Sequence, residues 1–295
     1  MNGIIIINKE KGYTSHDVVS KVKKILKIKK VGHTGTLDPN ATGVLPILLD
    51  KGTQLSKYLI NHDKIYDVTL KLGELRDTAD SEGNIMETKE VFQEYLNKEN
   101  IERVFKDFVG KQNQRPPIYS AIKIKGKKLY EYARSGIEVD IPIREIEIYN
   151  IKLEKIDVSN NIITFKVECS KGTYIRTLCE EIANKLNTVG YMKELNRLKV
   201  GEFNIENSIK IDELIQIIEK NELNKHIISI EEMFKNNDNV VLNDKEKILF
   251  LNGAFSKNSK RYNLKDGIYK IYDDNNNFIG IGISHDSELK RDIIL

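Results

Sequence analysis

One acidic residue, Asp38, lies in a glycine-rich stretch that runs from Gly32 to Leu45 with the sequence GHTGTLDPNATGVL. Glycine permits backbone conformations closed to other residues and lets the chain approach a ligand, and Pro39 fixes the backbone directly after the carboxylate. A carboxylate presented in this way can act as a nucleophile or as a base. The glycine spacing fits neither a Walker loop nor a dinucleotide-binding fingerprint. We therefore interpret the stretch as a catalytic loop.

A second interpretation of Asp38 stays open from these residues alone. Asp followed by Pro is also a common way to begin a helix, with the carboxylate as the N-cap and Pro39 in the first turn. In that case Asp38 would have a purely structural role. The surrounding sequence favours the catalytic interpretation.

Basic residues concentrate on both sides of this loop, although the net charge of the whole chain is only +3. Six lysines crowd the ten residues 21–30, and residues 111–134 carry seven basic residues against the single acidic Glu131. Such runs are often only solvated helix faces. Two of them flanking a presented carboxylate favour a polyanionic substrate, whose binding should weaken steeply with salt.

Metal and cofactor motifs are lacking in the sequence. Cys169 and Cys179 form neither a disulfide framework nor a set of metal ligands, and the five histidines are scattered. The acidic group of Asp77, Asp80 and Glu82 follows no calcium-loop spacing and is better interpreted as a polar turn between strands. No run of about eighteen apolar residues occurs. We expect a soluble, cytoplasmic protein that needs no metal and no cofactor.

The elements that must position Asp38 follow from the apolar periodicities. A helix capped by Ser15 is expected over the stripe Val18 to Leu26, and alternating strands at 66–72, 145–149 and 163–167. Two further helices are expected at 175–186 and 211–219. This mixture without a βαβ repeat predicts an α+β fold on a mainly antiparallel mixed sheet with flanking helices. A polar linker at 235–239 precedes short apolar runs and turns, which predict a small C-terminal β-rich unit.

Several motifs, in order, resemble the bacterial tRNA pseudouridine-55 synthases across about two hundred residues. They are the Asp38 loop, GIIIINK at 3–9, DKIY at 63–66, DTAD at 77–80, QRPPIYSA at 114–121, GKKLYEYAR at 126–134, SKGTYIRTL at 170–178 and the segment 195–201. Four positions depart from the usual family residues, namely Asn8, Glu10, Arg76 and Asn196. Each borders the expected site and does not form it.

The resemblance implies an enzyme that isomerises one uridine in the T-arm stem-loop of tRNA. It implies a pseudouridine synthase catalytic domain at 1–235, with a basic mobile insertion at about 111–144 that closes over the RNA. A small PUA-like RNA-binding domain would follow at 236–295. It further implies a protein without an obligatory protein partner, and a monomer is our expectation.

Three catalytic positions follow from the resemblance. Asp38 matches the catalytic carboxylate, and Arg176 matches the position that pairs with it. Tyr66 matches the aromatic residue on which the flipped base stacks and which can also serve in proton transfer. A phosphate contact or an ordinary surface position for Arg176, and a place in the core for Tyr66, remain the alternatives.

Five substrate-binding positions complete the expected site. Tyr174 and Leu195 match positions that pack around the flipped base, and plain core packing is compatible with that role. His33 matches a position that holds or displaces loop bases, and its alternative is a neutral imidazole bonded to a backbone carbonyl. Lys9 and Lys64 match positions near the cleft, although each could as well be a solvated lysine.

Two other classes of protein remain as alternatives. A non-catalytic RNA-binding protein or tRNA folding chaperone would need the lysines and aromatic residues but not Asp38. A hydrolase forming an aspartyl intermediate would need a second Asp two residues after Asp38, and Asn40 stands there.

Overall fold

A ten-stranded sheet organises most of the chain. The computed structural model describes the backbone of residues 1–295 and the side chains of 1–255 and 259–295. The strands of this sheet are β1 (Gly3–Lys9), β2 (Val31–His33), β3 (Thr42–Leu49), β4 (Lys64–Leu72), β7 (Gly110–Gln114), β10 (Arg144–Asp157), β11 (Ile162–Cys169), β12 (Gly190–Val200), β13 (Phe203–Asn204) and β14 (Ile227–Ser229). Two short hairpins lie outside it, β5 (Glu74–Arg76) with β6 (Ile85–Thr88), and β8 (Lys123–Ile124) with β9 (Lys127–Lys128).

The central path of the sheet runs β14-β1-β3-β12-β4-β11-β10-β7, while β2 pairs with β3 and β13 with β12. Only the β3–β12 pair is parallel, and the other pairs of this sheet are antiparallel. The predicted mainly antiparallel α+β fold is therefore confirmed, and so are the strands expected at 66–72, 145–149 and 163–167. The Asp38 loop connects β2 to β3 near the centre of the sheet.

The α-helices lie in separate groups along the chain. They are α1 (Ser15–Leu26), α2 (Ser56–Leu59), α3 (Lys98–Lys106), α4 (Leu129–Arg134), α5 (Ile175–Lys185), α6 (Ile211–Glu219), α7 (Ile230–Met233) and α8 (Asp244–Leu251). Helices α1 and α6 pack on β1 and β3, whereas α3 and α5 pack on β4, β10 and β11. None of the helices in the described part of the chain has the length and apolar character that a membrane span requires.

The predicted cap of α1 was wrong by one residue. The N-cap is Thr14, whose hydroxyl accepts a hydrogen bond from the Asp17 N–H, while the Asp17 carboxylate accepts one from the Thr14 N–H. This reciprocal pair leaves Ser15 free to turn inward. Its buried hydroxyl donates to the Leu37 carbonyl at 3.1 Å and accepts from the Leu37 N–H at 2.9 Å. Ser15 thus anchors the residue directly before Asp38.

A second sheet of four strands occupies the C-terminal end of the chain. Its strands are β15 (Asn239–Leu242), β16 (Gly267–Asp273), β17 (Phe278–His285) and β18 (Glu288–Ile294), in that order. Ile281 and Ile293 of this sheet are fully buried and belong to the same apolar cluster as Ile4 and Phe234. Tyr58 of α2 donates to the Asp292 carboxylate across this contact at 2.5 Å. The second sheet therefore packs firmly on the first.

The basic segment predicted as an insertion at 111–144 begins inside the main sheet. Residues Lys111–Gln114 belong to β7, which pairs with the start of β10. The separate part runs over 115–143 and contains the β8–β9 hairpin and α4. Its only buried apolar side chains are those of Pro116 and Leu129. The segment outside the main sheet is therefore 115–143, whereas the resemblance implied an insertion at about 111–144.

Candidate functional site

A cavity of about 750 Å³ lies beside the Asp38 loop. Seven of the eight site residues expected from the sequence line this one cavity, namely His33, Asp38, Lys64, Tyr66, Tyr174, Arg176 and Leu195. They come from the end of β2 and the loop that follows it, from β4, from the start of α5 and from β12. Residues up to 162 positions apart in sequence, His33 and Leu195, thus meet at one place. Lys9 is the one expected residue that does not line it.

The backbone around Asp38 forms a turn. The Ala41 N–H donates to the Asp38 carbonyl at 3.0 Å, and β3 begins at Thr42. The interpretation of Asp38 as the cap of a helix was therefore wrong. Asp38 is partly exposed and lines the cavity. The Asp38 carboxylate is therefore accessible to a ligand in the cavity.

Arg176, in the first turn of α5, holds the Asp38 carboxylate. Its Nε lies 3.1 Å from Asp38 Oδ2, and its Nη2 donates to Asp38 Oδ1 at 3.4 Å. The same guanidinium donates to the carbonyls of Thr78 at 3.2 Å and Tyr119 at 2.9 Å. A two-point contact of this kind fixes the orientation of the carboxylate as well as its place. The side chain of Arg176 is buried, which excludes the surface alternative.

Asp80 is a member of the site that the sequence reasoning missed. The acidic group at 77–82 lies in the turn between β5 and β6, as predicted, but the Asp80 side chain is buried and its Oδ2 lies 3.7 Å from Arg176 Nη1. Its Oδ1 accepts hydrogen bonds from the Thr78 hydroxyl at 2.6 Å and from the Glu82 N–H at 3.0 Å. Asp80 therefore braces Arg176 from the side opposite Asp38. Its place within a repeated Asp motif was the available signal.

The surroundings of Asp38 shift the pKa of its carboxyl group in opposite directions. Burial raises its pKa above the ordinary 3.8, while the Arg176 guanidinium lowers it and the Asp80 carboxylate raises it. The net pKa is raised, because withdrawal of the carboxylate from bulk water outweighs the lowering by the Arg176 guanidinium.

Tyr66 lies on β4 directly opposite Arg197 of β12 in the strand register. Burial raises the pKa of the Tyr66 hydroxyl to about 12, and the charge of Arg197 acts against that shift. The phenol is therefore protonated at neutral pH. Arg197 was also missed from the sequence, although it lies in the 195–201 motif.

The other cavity residues surround the space in front of Asp38. Leu195 is buried, and the Tyr174 backbone is held by the Gln114 side chain through two hydrogen bonds of 2.7 and 3.1 Å. Lys64 donates to the His62 carbonyl. The buried Nδ1 of His33 has no hydrogen-bond partner among the described residues, and burial lowers the pKa of this imidazole. His33 is thus neutral, but it is not bonded to a carbonyl through Nδ1.

Lys9 holds the Asp38 loop from behind. Its side chain is completely buried, and its Nζ donates to the carbonyls of Tyr13 at 2.6 Å, Pro39 at 3.0 Å and Glu10 at 3.1 Å. Burial lowers the pKa of Lys9 to about 8. The alternative of a solvated lysine was wrong, because this ammonium group is enclosed by three backbone carbonyls, one of which is that of Pro39, the residue directly after Asp38.

Possible metal ligands come together at a distance in sequence from the residues that line the cavity. Within the described side chains, three such ligands come together at Asp266, His285 and Asp286, which are exposed on the second sheet. Cys169 and Cys179 are free and fully buried in the core.

Comparison with known proteins gives a consistent class, the pseudouridine synthases. Residues 23–175 match the N-terminal domain of the TruB family of pseudouridylate synthases, and residues 176–235 match the C-terminal domain of tRNA pseudouridylate synthase B. The chain belongs to the TruB family.

Two curated relatives and one solved structure illustrate the similarity. The chain is 43% identical to a tRNA pseudouridine synthase B of Clostridium kluyveri over 98% of both chains. It is 42% identical to the Clostridium perfringens protein of the same name over 100% of this chain and 99% of that one. A crystal structure of a Cbf5-Nop10-Gar1 complex matches 96% of this chain and 78% of the matched chain, with a TM-score of 0.68 and 26% identity.

Proposed function

We propose that this pseudouridine synthase acts on tRNA and converts the uridine at position 55 of the T arm. The observation that carries the proposal is the Asp38 carboxylate, fixed by Arg176 at one wall of the cavity that Tyr66 also lines. The printed names of the relatives support tRNA as the substrate class. The basic segments at 21–30 and 111–134 suit a polyanion of this kind.

Isomerisation breaks the bond between N1 of uracil and C1′ of the ribose. The electron-poor C1′ then needs a carboxylate, which either bonds to it or shields its positive charge while a proton is removed. Asp38 in its ionised form serves both routes, and Arg176 favours that form. The detached uracil turns within the cavity, C5 bonds to C1′, the hydrogen of C5 leaves as a proton, and N1 gains one. No group donor and no redox change is required by this balance.

The base must leave its stack before it can reach Asp38. Extrusion costs roughly a few kcal/mol, and stacking on an aromatic ring returns about 1 to 3 kcal/mol. Tyr66 supplies that ring in our proposal, with Leu195 and Tyr174 packing around the base. His33 and Lys64 lie where they can contact the neighbouring nucleotides. Lys9 acts through the loop that it holds.

We further propose that the chain consists of two units. Residues 1–235 form the catalytic unit, which is supported by the family matches that end at residue 235. Residues 236–295, whose separate sheet begins at Asn239, form a PUA-like RNA-binding unit. We propose a monomer that acts in the cytoplasm on tRNA without an obligatory protein partner.

Tritium release tests the proposal. The purified protein is incubated with a tRNA transcript carrying tritium at C5 of its uridines, and with the same transcript in which uridine 55 is replaced by cytidine. Wild type should release one tritium per molecule from the first transcript and none from the second. Asp38→Asn should release none, while Asp274→Asn, which removes an exposed carboxylate on the second sheet, should match wild type. Release from both transcripts would reject position 55, and equal release by Asp38→Asn would reject the catalytic assignment.

A further inference from the structure

Arg197 is a buried arginine at the junction of three strands. Its side chain is 1% exposed. In the sheet it stands between Gly43 of β3, its parallel partner, and Tyr66 of β4, its antiparallel partner. Side chains of such register partners on one face of a sheet lie close enough to interact. Arg197 therefore connects the strand that follows the Asp38 loop with the strand that carries Tyr66.

The hydrogen bonds of Arg197 reach both ends of the Asp38 loop. Its Nε donates to the Val44 carbonyl at 2.8 Å, and its Nη2 donates to the Gly35 carbonyl at 3.0 Å. Gly35 and Val44 bracket Asp38. The planar guanidinium offers donors in a fixed fork, so that these two contacts also set the angle between the loop ends.

The backbone of the loop is shaped to accept this arginine. Gly43 has a φ of +103°, and a Cβ at this position would lie 2.2 Å from the Arg197 carbonyl oxygen. A Cβ on Gly35 would lie 3.4 Å from Arg197 Nη1. At Gly43 the chain can approach the arginine this closely only because a side chain is absent, whereas the distance at Gly35 is an ordinary contact.

The charge of Arg197 has no carboxylate partner within ion-pair distance among the described side chains. Burying such a charge is unfavourable, and an apolar side chain of similar volume would avoid that cost. Burial accordingly lowers the pKa of Arg197, whereas Tyr66 and its hydrogen bond with the guanidinium raise it. Arg197 also lines the catalytic cavity. A cation kept at this cost beside the reacting groups requires a reason beyond packing.

We propose that Arg197 is a positioning residue for the isomerisation, which fixes the Asp38 loop at both ends and orients the Tyr66 hydroxyl, so that carboxylate and phenol face the same base. It acts through these groups and does not need to touch the RNA. The proposal deepens the function above and rests on it only for the rate measurement, because the state of Tyr66 can be read without RNA.

The test compares Arg197→Gln and Arg197→Lys with wild type. The control Lys193→Gln removes a positive charge from the same strand at its other end. The protein carries tyrosine labelled with ¹³C at the ring carbon bearing the hydroxyl, and Tyr66→Phe identifies the resonance of Tyr66 among the thirteen tyrosines. Single-turnover tritium release and the Kd for a T-arm hairpin are measured on the same samples.

Arg197→Gln should move the Tyr66 resonance and leave most others in place. It should lower the single-turnover rate on the order of 10- to 100-fold, since misplacement of reacting groups by about 1 Å can cost 100-fold. The Kd should stay within about twofold of wild type, because no contact with RNA is removed. Arg197→Lys keeps the charge but not the fork, and should recover part of the rate. Lys193→Gln should resemble wild type in every measurement.

An unmoved Tyr66 resonance or an unchanged rate in Arg197→Gln would overturn the proposal, as would a fall in rate matched by an equal loss of binding. If Arg197→Gln moves most tyrosine resonances and so loses the fold, Arg197→Lys is judged by the same criteria. A wild-type protein that releases no tritium would reject the proposed substrate, and the resonance of Tyr66 would still decide whether Arg197 orients it.

Discussion

Arg176 holds Asp38 through its Nε at 3.1 Å, although the two residues are 138 positions apart in the sequence. The same guanidinium lies 3.7 Å from a second carboxylate, that of Asp80. One cation therefore serves two acids, and the acid that faces the cavity keeps a raised pKa. This arrangement makes the pH dependence of the reaction a direct probe of the site.

Replacing Arg176 should move the acid limb of the pH profile upwards. The guanidinium lowers the pKa of Asp38, so its loss in Arg176→Gln raises that pKa further, and a higher pH is needed to ionise the carboxylate. The measurement is the single-turnover rate of tritium release over roughly pH 4 to 8. Arg176→Lys, which keeps the charge, should give a smaller displacement. An acid limb that stays in place in Arg176→Gln would contradict the assigned ion pair.

Asp80→Asn should change the rate and the acid limb in different ways. The plateau rate should fall about 10- to 100-fold, because Arg176 loses the brace that sets its position. The Asp80 charge raises the pKa of Asp38, so its removal should move the acid limb to lower pH. The control is Glu87→Gln, which neutralises an exposed carboxylate on β6 of the same hairpin. A limb that moves upwards, or a plateau equal to that of the control, would argue against the bracing role.

The comparison of Asp38 with Asp80 explains how far the sequence could predict this site. Asp38 was recognisable because glycines and Pro39 surround it within a few residues. The role of Asp80 depends on its distance from Arg176, which the fold alone determines. Local patterns likewise predicted the strands with period two, whereas the register that pairs Arg197 with Tyr66 depends on how β12 aligns with β4. The burial of Lys9 could not be predicted from the neighbouring sequence, because its hydrogen-bond partners are backbone carbonyls and not particular side chains.

Gly43→Ala should destabilise the protein more than Gly12→Ala. Both glycines have positive φ, but a Cβ on Gly43 would clash with backbone atoms of Arg197, whereas a Cβ on Gly12 has nothing within 4 Å. Alanine at a positive φ costs about 1 to 3 kcal/mol in either variant. The additional loss of unfolding free energy in Gly43→Ala therefore measures the cost of the clash with Arg197. Denaturant unfolding measures both free energies. Equal losses would mean that the β3–β12 contact can relax at no cost.

The segment 115–143 should become more protected from hydrogen exchange when RNA binds. It buries only two apolar side chains, those of Pro116 and Leu129, and it touches the site through the Tyr119 carbonyl that Arg176 holds. A segment with few buried contacts opens readily, and a polyanion bound to its lysines would restrain it. Exchange is compared with and without an unmodified hairpin at low and high salt. Equal protection in both states would contradict closure of this segment over the RNA.

The two sheets should unfold together. Ile293 of the C-terminal sheet is fully buried in the cluster that contains Ile4 of β1, and Tyr272 donates to the Glu231 carboxylate of α7 at 2.6 Å. Because this contact is apolar and continuous, Ile293→Ala should cost about 2 to 5 kcal/mol of the free energy of unfolding. The loss should appear in one cooperative transition, seen alike by far-UV circular dichroism and by tyrosine fluorescence. Ile248→Ala, which truncates an exposed isoleucine of the same C-terminal segment, should change stability by no more than about 0.5 kcal/mol. Two separate transitions, of which Ile293→Ala shifts only one, would instead mean that the C-terminal sheet folds independently of the catalytic unit.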